Sequence, residues 1–284
     1  MMGLDKEVTK PNAILIIADT YWHAKKGLEA LEVDYIVPED KRISNESIYN
    51  DSFNLLQQPD LSLAANNGDA RAIINESIDT SYYHSAYYKA PYIAHATMEP
   101  VNATSFYHDD HIETWGPFQG QDLVRFMLAR IYGFTPEQII VNTTFLGGSF
   151  GRKYLPDAVM HATTASKIHG KPVKIIYSRA VDIRHEYYRP GIIGHYQATL
   201  NSEGFPKALW VRTTGQSLFW QMKRAKMEKM GFDETMVECV YNTIYKIPNL
   251  YVETAHVEQP IPLSYLRGVG TTSSIFSMKA LSVS

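Results

Sequence analysis

A run of alternating helix and strand patterns over residues 119–178 constrains the fold of this chain most. Apolar side chains recur at helical spacing from Leu123 to Ile131, and Gly133 follows them as a helix-ending glycine. The patterns after it predict, in order, a strand over 139–144, a glycine-rich loop over 145–153, a helix over 157–169 closed by Gly170, and a strand over 173–178. The order strand, loop, helix, strand predicts a sheet with flanking helices.

The first 85 residues are predicted to form a separate unit. The apolar run 13–18 is typical of a buried strand, a helix follows behind an Asp19/Thr20 cap, and 33–37 is predicted to be a second strand. Residues 38–80 are more polar, with a helix predicted in SNESIYNDSF and turns in LAANNGDARAI.

The boundary near residue 85 falls in the aromatic-rich segment SYYHSAYYKAPYIAHATMEP (81–100), whose alternation indicates strands at a domain interface. Further on, the patterns predict a hairpin over 192–217 and a charged, exposed helix over 220–235. We therefore divide the chain into domains 1–85 and 86–284. The expected fold class is α+β, with mixed sheets flanked by helices.

Composition excludes several classes of protein. The 284 residues are 45% apolar and 20% charged, with a net charge of −3 and no basic stripe, so neither nucleic acid nor an anionic membrane surface is an expected partner. No apolar run is long enough for a membrane span, and no signal peptide is evident. Localisation stays unknown: cytoplasmic is the default expectation, and periplasmic is possible through a partner subunit. The single Cys239 excludes an intrachain disulfide and a Cys-ligated iron–sulfur cluster, and we interpret it as a small buried side chain.

The glycine-rich loop FLGGSFGRK does not match the common phosphate-binding motifs. A P-loop requires a second glycine five residues after the first, but Arg152 stands five after Gly147 and Lys153 five after Gly148. The dinucleotide fingerprint fails because Ser149 stands where its second glycine belongs. Two interpretations remain open: backbone N–H groups forming an anion-binding concavity, or a tight turn that supports the sheet.

Six short segments occur in one order along the chain: HATMEPVNAT, ETWGPFQGQD, FLGGSFGRK, SRAVDIRHEYYRP, YKIPN and YLRGVG. Together they resemble the molybdenum-binding large subunit of the xanthine oxidase family. The phrase over 178–190 is most similar to the branch with isoquinoline 1-oxidoreductase and aldehyde dehydrogenases. The resemblance covers about residues 11–276 and implies a partial small α/β (hammerhead-like) domain followed by the first part of a molybdopterin-binding domain.

The resemblance also implies roles for individual residues. Gln119 is expected beside the apical oxo ligand of molybdenum, where its amide can donate a hydrogen bond. The loop residues are expected to bind the dithiolene end of the pterin cofactor, a molybdopterin cytosine dinucleotide. These cofactor-binding candidates are Gly147, Gly148, Ser149, Phe150, Gly151 and Arg152. At Ser149 the family usually has glycine, which puts close approach of the cofactor, or a positive φ there, in doubt.

Arg267 matches an arginine at the substrate end of the family's site, where a fixed charge can stabilise a developing alkoxide. A solvent-facing arginine after a strand is the alternative. His95 and Glu99 have the residue types of an acid–base pair, but structural hydrogen bonding is favoured because the segment lacks a helical pattern. No residue cluster in the chain predicts a direct metal site, since HEYYR lacks the second histidine of a zinc-protease helix.

The resemblance implies an incomplete subunit, because the family's large subunits continue well beyond this chain and carry the general-base glutamate there. An iron–sulfur small subunit, with its [2Fe-2S] clusters, and a chain with the C-terminal half are the expected partners of a hydroxylase that uses water to oxidise an aldehyde or an N-heterocycle. The alternatives are an inactive remnant and a non-catalytic assembly or binding module. An uncovered apolar surface at the truncation predicts self-association as a homo-oligomer.

Overall fold

A computed structural model describes residues 14–34, residue 39 and residues 43–281. The strands are β1 (Ser62–Asn67), β2 (Tyr83–Ala90), β3 (Asn102–Tyr107), β4 (Ile112–Gly116), β5 (Ile139–Thr143), β6 (Val173–Ile176), β7 (Ile192–Leu200), β8 (Pro206–Gly215) and β9 (Asn249–His256). The helices are α1 (Tyr21–Glu29), α2 (Asn45–Leu56), α3 (Ala70–Ser77), α4 (Gln121–Tyr132), α5 (Asp157–His169), α6 (Arg179–Arg184), α7 (Leu218–Met222), α8 (Arg224–Met230) and α9 (Thr271–Leu281). None of these helices is long and apolar enough to cross a bilayer.

The first sheet has four strands in the order β5-β4-β3-β6, and α4 and α5 pack on it. Its core includes Ile112 and Leu128, both fully buried. The helices predicted after Gln119 and over 157–169 are confirmed. Gly133 and Gly170 end them with φ of 79° and 69°, values in the left-handed region that glycine adopts without a steric cost.

Strands β4 and β5 of this sheet are parallel and α4 connects them. Their carboxyl ends therefore lie side by side at one edge of the sheet. Gln119 follows the end of β4 and the glycine-rich loop follows the end of β5. Ligands of open α/β sheets bind outside the carboxyl ends of such strands, so the topology brings two of the predicted site segments to one place.

The second sheet has five strands in the order β1-β9-β8-β7-β2. The predicted hairpin over 192–217 is confirmed as β7 and β8. The prediction of turns throughout LAANNGDARAI was wrong, because residues 63–67 belong to β1, which pairs with the distant β9, and α3 begins at Ala70; only residues 68–69 between them lie outside both elements. The α+β class with mixed sheets and flanking helices is confirmed, while the division at residue 85 stays a prediction. The helices α2 and α3 pack on the second sheet against strands that come later in the chain, β7, β8 and β9.

The N-terminal predictions are confirmed only in part. Helix α1 begins as predicted behind Thr20, whose side chain accepts a hydrogen bond from the backbone N–H of His23. Residues 14–18 and 33–34 form no strand, because no described segment pairs with them; residues 13 and 35–37 of those predicted strands lie outside the described residues. Cys239 is half-buried rather than buried.

The helix predicted over 220–235 is interrupted at Lys223, which separates α7 from α8. The physical reason is burial, since Leu218 and Phe219 of α7 pack inside the protein whereas α8 has no buried residue. The Asp233 carboxylate fixes the start of α7 by accepting hydrogen bonds from the Ser217 hydroxyl, at 2.6 Å, and from the backbone N–H of Phe219. One continuous exposed helix is incompatible with these contacts.

Candidate functional site

The glycine-rich loop leaves the sheet at the end of β5 and stays close to the end of β4. The backbone N–H of Thr144 donates to the carbonyl of Gly116 at 2.9 Å. The backbone N–H of Gln119 donates to the carbonyl of Lys153 at 3.0 Å. These two contacts hold both ends of the loop against the segment that carries Gln119.

Positive φ angles shape the loop at three positions: Gly148 (91°), Phe150 (54°) and Gly151 (109°). Ser149 is not among the residues with positive φ, so a serine side chain meets no backbone conflict there. The strain falls on Phe150, where a left-handed conformation costs about 1–3 kcal/mol and persists only if the surroundings enforce it. Such strain in a non-glycine residue is typical of functional loops.

Three successive backbone N–H groups of the loop have no hydrogen-bond acceptor within the described part of the chain. They belong to Gly148, Ser149 and Phe150, whereas the N–H groups of Gly147 and Gly151 on either side are bonded to side chains. Successive N–H groups in a chain with left-handed turns form a concavity that binds anionic or carbonyl-like acceptors. The anion-binding interpretation, one of the two that the sequence left open, is therefore supported by this geometry.

The side-chain amide of Gln119 is oriented by the same loop. Its Oε1 accepts a hydrogen bond from the Ser149 hydroxyl and a second, at 3.0 Å, from the backbone N–H of Gly151. Because a backbone N–H can only donate, the oxygen end of the amide must face the loop. The Nε2 group has no acceptor among the described residues, and Gln119 is exposed. Gln119 therefore presents a neutral donor on the outer side of the loop.

Arg267 reaches the loop through its backbone. Its N–H donates to the carbonyl of Phe150 at 2.8 Å, and a Cβ at Gly151 would lie 1.7 Å from the carbonyl oxygen of Tyr265. Only glycine permits this close approach. The Arg267 side chain is exposed and has no ion-pair partner in the described residues. The structure thus brings together Gln119, the loop and Arg267, the predicted site residues of three separate segments.

Glu99 stabilises the loop and does not form an acid–base pair with His95. Its carboxylate accepts a hydrogen bond from the backbone N–H of Gly147 at 2.9 Å and pairs with Lys153 Nζ at 2.6 Å. Partial burial opposes ionisation, but the bonds from Lys153, Gly147 and Asn102 outweigh it and lower the pKa of Glu99. The structural interpretation of Glu99 is supported by these contacts.

Arg152 is a cofactor-binding candidate whose charged side chain is turned away from solvent. It is 1% exposed and makes a bidentate pair with Asp157, at 2.8 and 2.7 Å. The guanidinium lies 5.3 Å from the ring of Tyr187. Burial disfavours the charge, but the hydrogen bonds and charge of Asp157 outweigh it and raise the pKa of Arg152. Both terminal nitrogens of the guanidinium donate to Asp157. Arg152 therefore supports the loop from inside the protein.

Asp182, His185 and Arg189, three polar residues of the segment 178–190, do not share one hydrogen-bond network among the described residues. Asp182 pairs with Arg179 at 3.0 Å, while Arg189 donates to the carbonyl of Pro91 at 2.7 Å. His185 has no side-chain hydrogen bond in the described ranges. No group of three or more His, Cys, Asp or Glu side chains suited to a metal ion occurs among the described residues.

Two functional contributions were missed from the sequence. The hydrogen bond from the Ser149 hydroxyl to the Gln119 amide was not expected. The available signal was that Ser149 carries the one polar side chain among the residues GGSFG. The left-handed Phe150 carries no local sequence signal, because a bulky side chain predicts negative φ.

Comparison with known proteins agrees with this geometry. The family model described as "Molybdopterin cofactor-binding domain" matches residues 56–281. The chain is 28% identical over 183 residues to a membrane-bound aldehyde dehydrogenase (pyrroloquinoline-quinone) of Gluconacetobacter polyoxogenes, covering 62% of this chain and 23% of that protein. It is 26% identical over 192 residues to isoquinoline 1-oxidoreductase subunit beta of Brevundimonas diminuta, covering 66% of this chain and 24% of that subunit.

A solved structure shows the same fold. The crystal structure of quinoline 2-oxidoreductase from Pseudomonas putida 86 aligns with a TM-score of 0.71 at 18% identity, over 93% of this chain and 34% of that one. The chain spans about a quarter of the length of the two curated relatives. The resemblance to molybdenum-binding subunits of the xanthine oxidase family is confirmed, because the family model covers most of the chain. The chain belongs to the molybdopterin cofactor-binding domain family.

Proposed function

We propose that this chain supplies the glycine-loop part of the cofactor site in a molybdenum hydroxylase that oxidises an aldehyde or an N-heterocycle with water as the oxygen source. The proposal is supported above all by the N–H groups of residues 148–150, which have no acceptor among the described residues and belong to the loop that Gln119 and the Arg267 backbone contact. The aldehyde dehydrogenase and isoquinoline 1-oxidoreductase names of the relatives support the two substrate classes.

The residues present fit a molybdopterin cofactor. Among the described residues, the loop and its neighbours offer several donors that have no acceptor: the N–H groups of Gly148, Ser149 and Phe150, the Gln119 Nε2 group and the Arg267 guanidinium. A donor set without an exposed carboxylate suits oxo and phosphate oxygens and the polar edge of a pterin. A cytosine dinucleotide form of the cofactor is part of the proposal.

The chain's residues would bind and orient, and they would supply no general base. When bound, the cofactor supplies the redox chemistry that takes up the substrate's electrons. The loop N–H groups bind acceptor atoms at fixed positions, and Gln119 donates a hydrogen bond without adding charge. Arg267 orients a polar substrate and stabilises negative charge that develops on its oxygen. We propose that the general-base glutamate lies outside this chain, in a companion polypeptide or in further sequence.

A companion surface is supported by the exposed apolar side chains next to the site. Met98 is 88% exposed and Phe145 is fully exposed, and they belong to the two segments that Glu99 joins. Large apolar side chains at such exposure are typical of surfaces that another protein covers. We propose that a subunit with the rest of the site, and an iron–sulfur subunit for electron transfer, assemble here.

The test is the molybdenum and released cytosine nucleotide per chain in protein purified from its native host, with every co-purifying subunit identified. Near-stoichiometric metal and nucleotide together with a companion chain would support the proposal. Folded chain without metal, nucleotide or companion would contradict it and favour an inactive remnant. A companion without metal would favour an assembly module.

Arg267→Gln in the loaded protein then tests the proposed substrate-binding role. We expect a loss of kcat/KM of about 10²–10³-fold, the typical effect of removing one stabilising donor, with molybdenum content unchanged. Arg130→Gln is the matched control, because Arg130 is exposed in the last turn of α4 and has no ion-pair partner in the described residues. Equal activities of the two variants would remove Arg267 from the mechanism.

A further inference from the structure

Glu186 is a buried carboxylate to which the proposed chemistry assigns no role. It lies just after α6, in the segment 185–190, and is 1% exposed. A carboxylate is seldom buried to this extent unless several partners offset its desolvation. Its partners therefore indicate what holds it in place.

The partners of Glu186 come from the glycine-rich loop and from the segment that carries His95 and Glu99. The Oε1 atom accepts a hydrogen bond from the backbone N–H of His95 and lies 3.3 Å from His95 Nδ1. The Oε2 atom lies 3.5 Å from Nε of Arg152, which directly follows Gly151 of the loop. One carboxylate therefore joins the segment of His95 to the glycine loop.

His95 extends this connection to the segment that carries Arg267. Its Nε2 lies 2.9 Å from the carbonyl oxygen of Tyr265, and because a carbonyl can only accept, Nε2 carries the proton. The same carbonyl oxygen packs against Gly151, where a Cβ would approach it to 1.7 Å. Glu186, His95 and Tyr265 form a continuous path from beneath the loop to a residue two positions before Arg267.

We propose that Glu186 is a positioning residue that keeps the glycine loop and the Arg267 segment in contact, and thereby fixes the left-handed Phe150 and the N–H groups beside it. The inference deepens the proposed function and rests on it for its catalytic consequence. The contact that reports on this arrangement is the hydrogen bond from the Arg267 N–H to the Phe150 carbonyl, at 2.8 Å. Glu186 touches neither of these groups and acts through Arg152 and His95.

The variant Glu186→Gln removes the charge and keeps the side-chain shape. Glu253→Gln is the matched control, because Glu253 is also 1% exposed and also pairs with an arginine, Arg212 at 2.8 Å, but in the second sheet. Both substitutions remove one buried carboxylate charge. Only Glu186 connects to the loop through the contacts described above.

Amide-resolved hydrogen exchange on the purified chain measures the effect without requiring cofactor. In Glu186→Gln we expect the amides of Arg267 and Gly151 to exchange at least about tenfold faster than in Glu253→Gln, equivalent to about 1.4 kcal/mol. Equal exchange at these amides in the two variants would overturn the proposal. If Glu186→Gln does not fold, Glu186→Asp, which keeps the charge on a shorter side chain, gives the same comparison with the same two outcomes.

In the loaded protein, kcat at unchanged molybdenum content separates a positioning role from a purely structural one, because a purely structural role would leave kcat unchanged. We expect Glu186→Gln to retain molybdenum but to lose at least about tenfold in kcat, while Glu253→Gln retains both within about twofold. Unchanged kcat in Glu186→Gln would reject the catalytic consequence. Absence of molybdenum from the wild-type protein would instead reject the proposed function, and the exchange data would still decide whether Glu186 orders the loop.

Discussion

Replacing Arg152 by methionine should show how much the charges beneath the glycine loop contribute to the free energy of unfolding. The substitution keeps the apolar stem but removes the guanidinium that binds Asp157 at 2.8 and 2.7 Å and faces Glu186 at 3.5 Å. Two carboxylates that are 13% and 1% exposed then lose their cation. Removing one partner of a buried pair costs about 3–5 kcal/mol, because the remaining charge stays desolvated.

The assay is urea-induced unfolding followed by circular dichroism, with Arg224→Met as the control. Arg224 also pairs with a carboxylate, Glu228 at 3.2 Å, but the two side chains are 56% and 62% exposed. An exposed pair contributes about 0–1 kcal/mol, and the guanidinium's stacking on Trp220, at 3.7 Å, adds about 0.5–1 kcal/mol. The loss at the buried pair should therefore exceed the loss at the exposed one by about 1 kcal/mol or more.

A double variant separates uncompensated charge from lost packing. If the stranded carboxylate causes the loss, Arg152→Met combined with Asp157→Asn should be less destabilised than the sum of the two single variants, by about 0.5–3 kcal/mol. Strict additivity, or an Arg152→Met loss no larger than that of Arg224→Met, would refute the reasoning from burial.

Two further predictions concern the loop. Ser149→Ala should destabilise the protein by about 1–3 kcal/mol, because it leaves the buried N–H of Lys153, now 3.0 Å from the serine oxygen, without an acceptor; the exposed Ser202→Ala should stay within about 0.5 kcal/mol in the same unfolding assay. Glu99 has a folded-state pKa below its ordinary value of 4.5, so its contribution is complete above that value and is lost as the pH falls through the lower folded-state pKa. The stability difference between wild type and Glu99→Gln should therefore be constant near neutral pH and shrink below about pH 4.5, and a difference that is independent of pH would contradict the ionised Glu99–Lys153 pair.

Local sequence patterns were sufficient to predict an element where the contacts that define it join residues close in sequence. Helix α5 was predicted with its bounds because apolar spacing and a terminal glycine are both local signals. Strand β1 was missed because its partner β9 lies about 190 residues away and its sequence, SLAANN, lacks the apolar alternation of a half-buried strand. The strand over 13–18 was predicted for the opposite reason: its sequence has the apolar run of a buried strand, but apolar residues such as Ile14 and Leu15 are exposed.

The candidate site shows the same division between local and distant information. The position of the loop after β5 follows from the pattern, and the resemblance is what predicts Gln119 and Arg267 as members of the site. Neither the pairing of Arg152 with Glu186 nor that of Glu99 with Lys153 was predictable, because each joins residues that are far apart in the chain. A sequence with two adjacent cations after a glycine run does not reveal which groups they face.

Because Arg152 and Lys153 are paired with carboxylates, their charges are not free to attract a ligand to the loop. Lys153 and Arg152 are 4% and 1% exposed, and both contact carboxylates beneath the loop. Left unpaired at this depth, either charge would carry a large desolvation penalty, so the fold neutralises them internally. The donors that remain without an acceptor around the loop, among the described residues, include its backbone N–H groups, the Gln119 amide and the exposed Arg267. Fixed dipoles select ligand atoms by position more than by net charge, which suits the proposed binding of one oxygen-bearing cofactor in a single orientation.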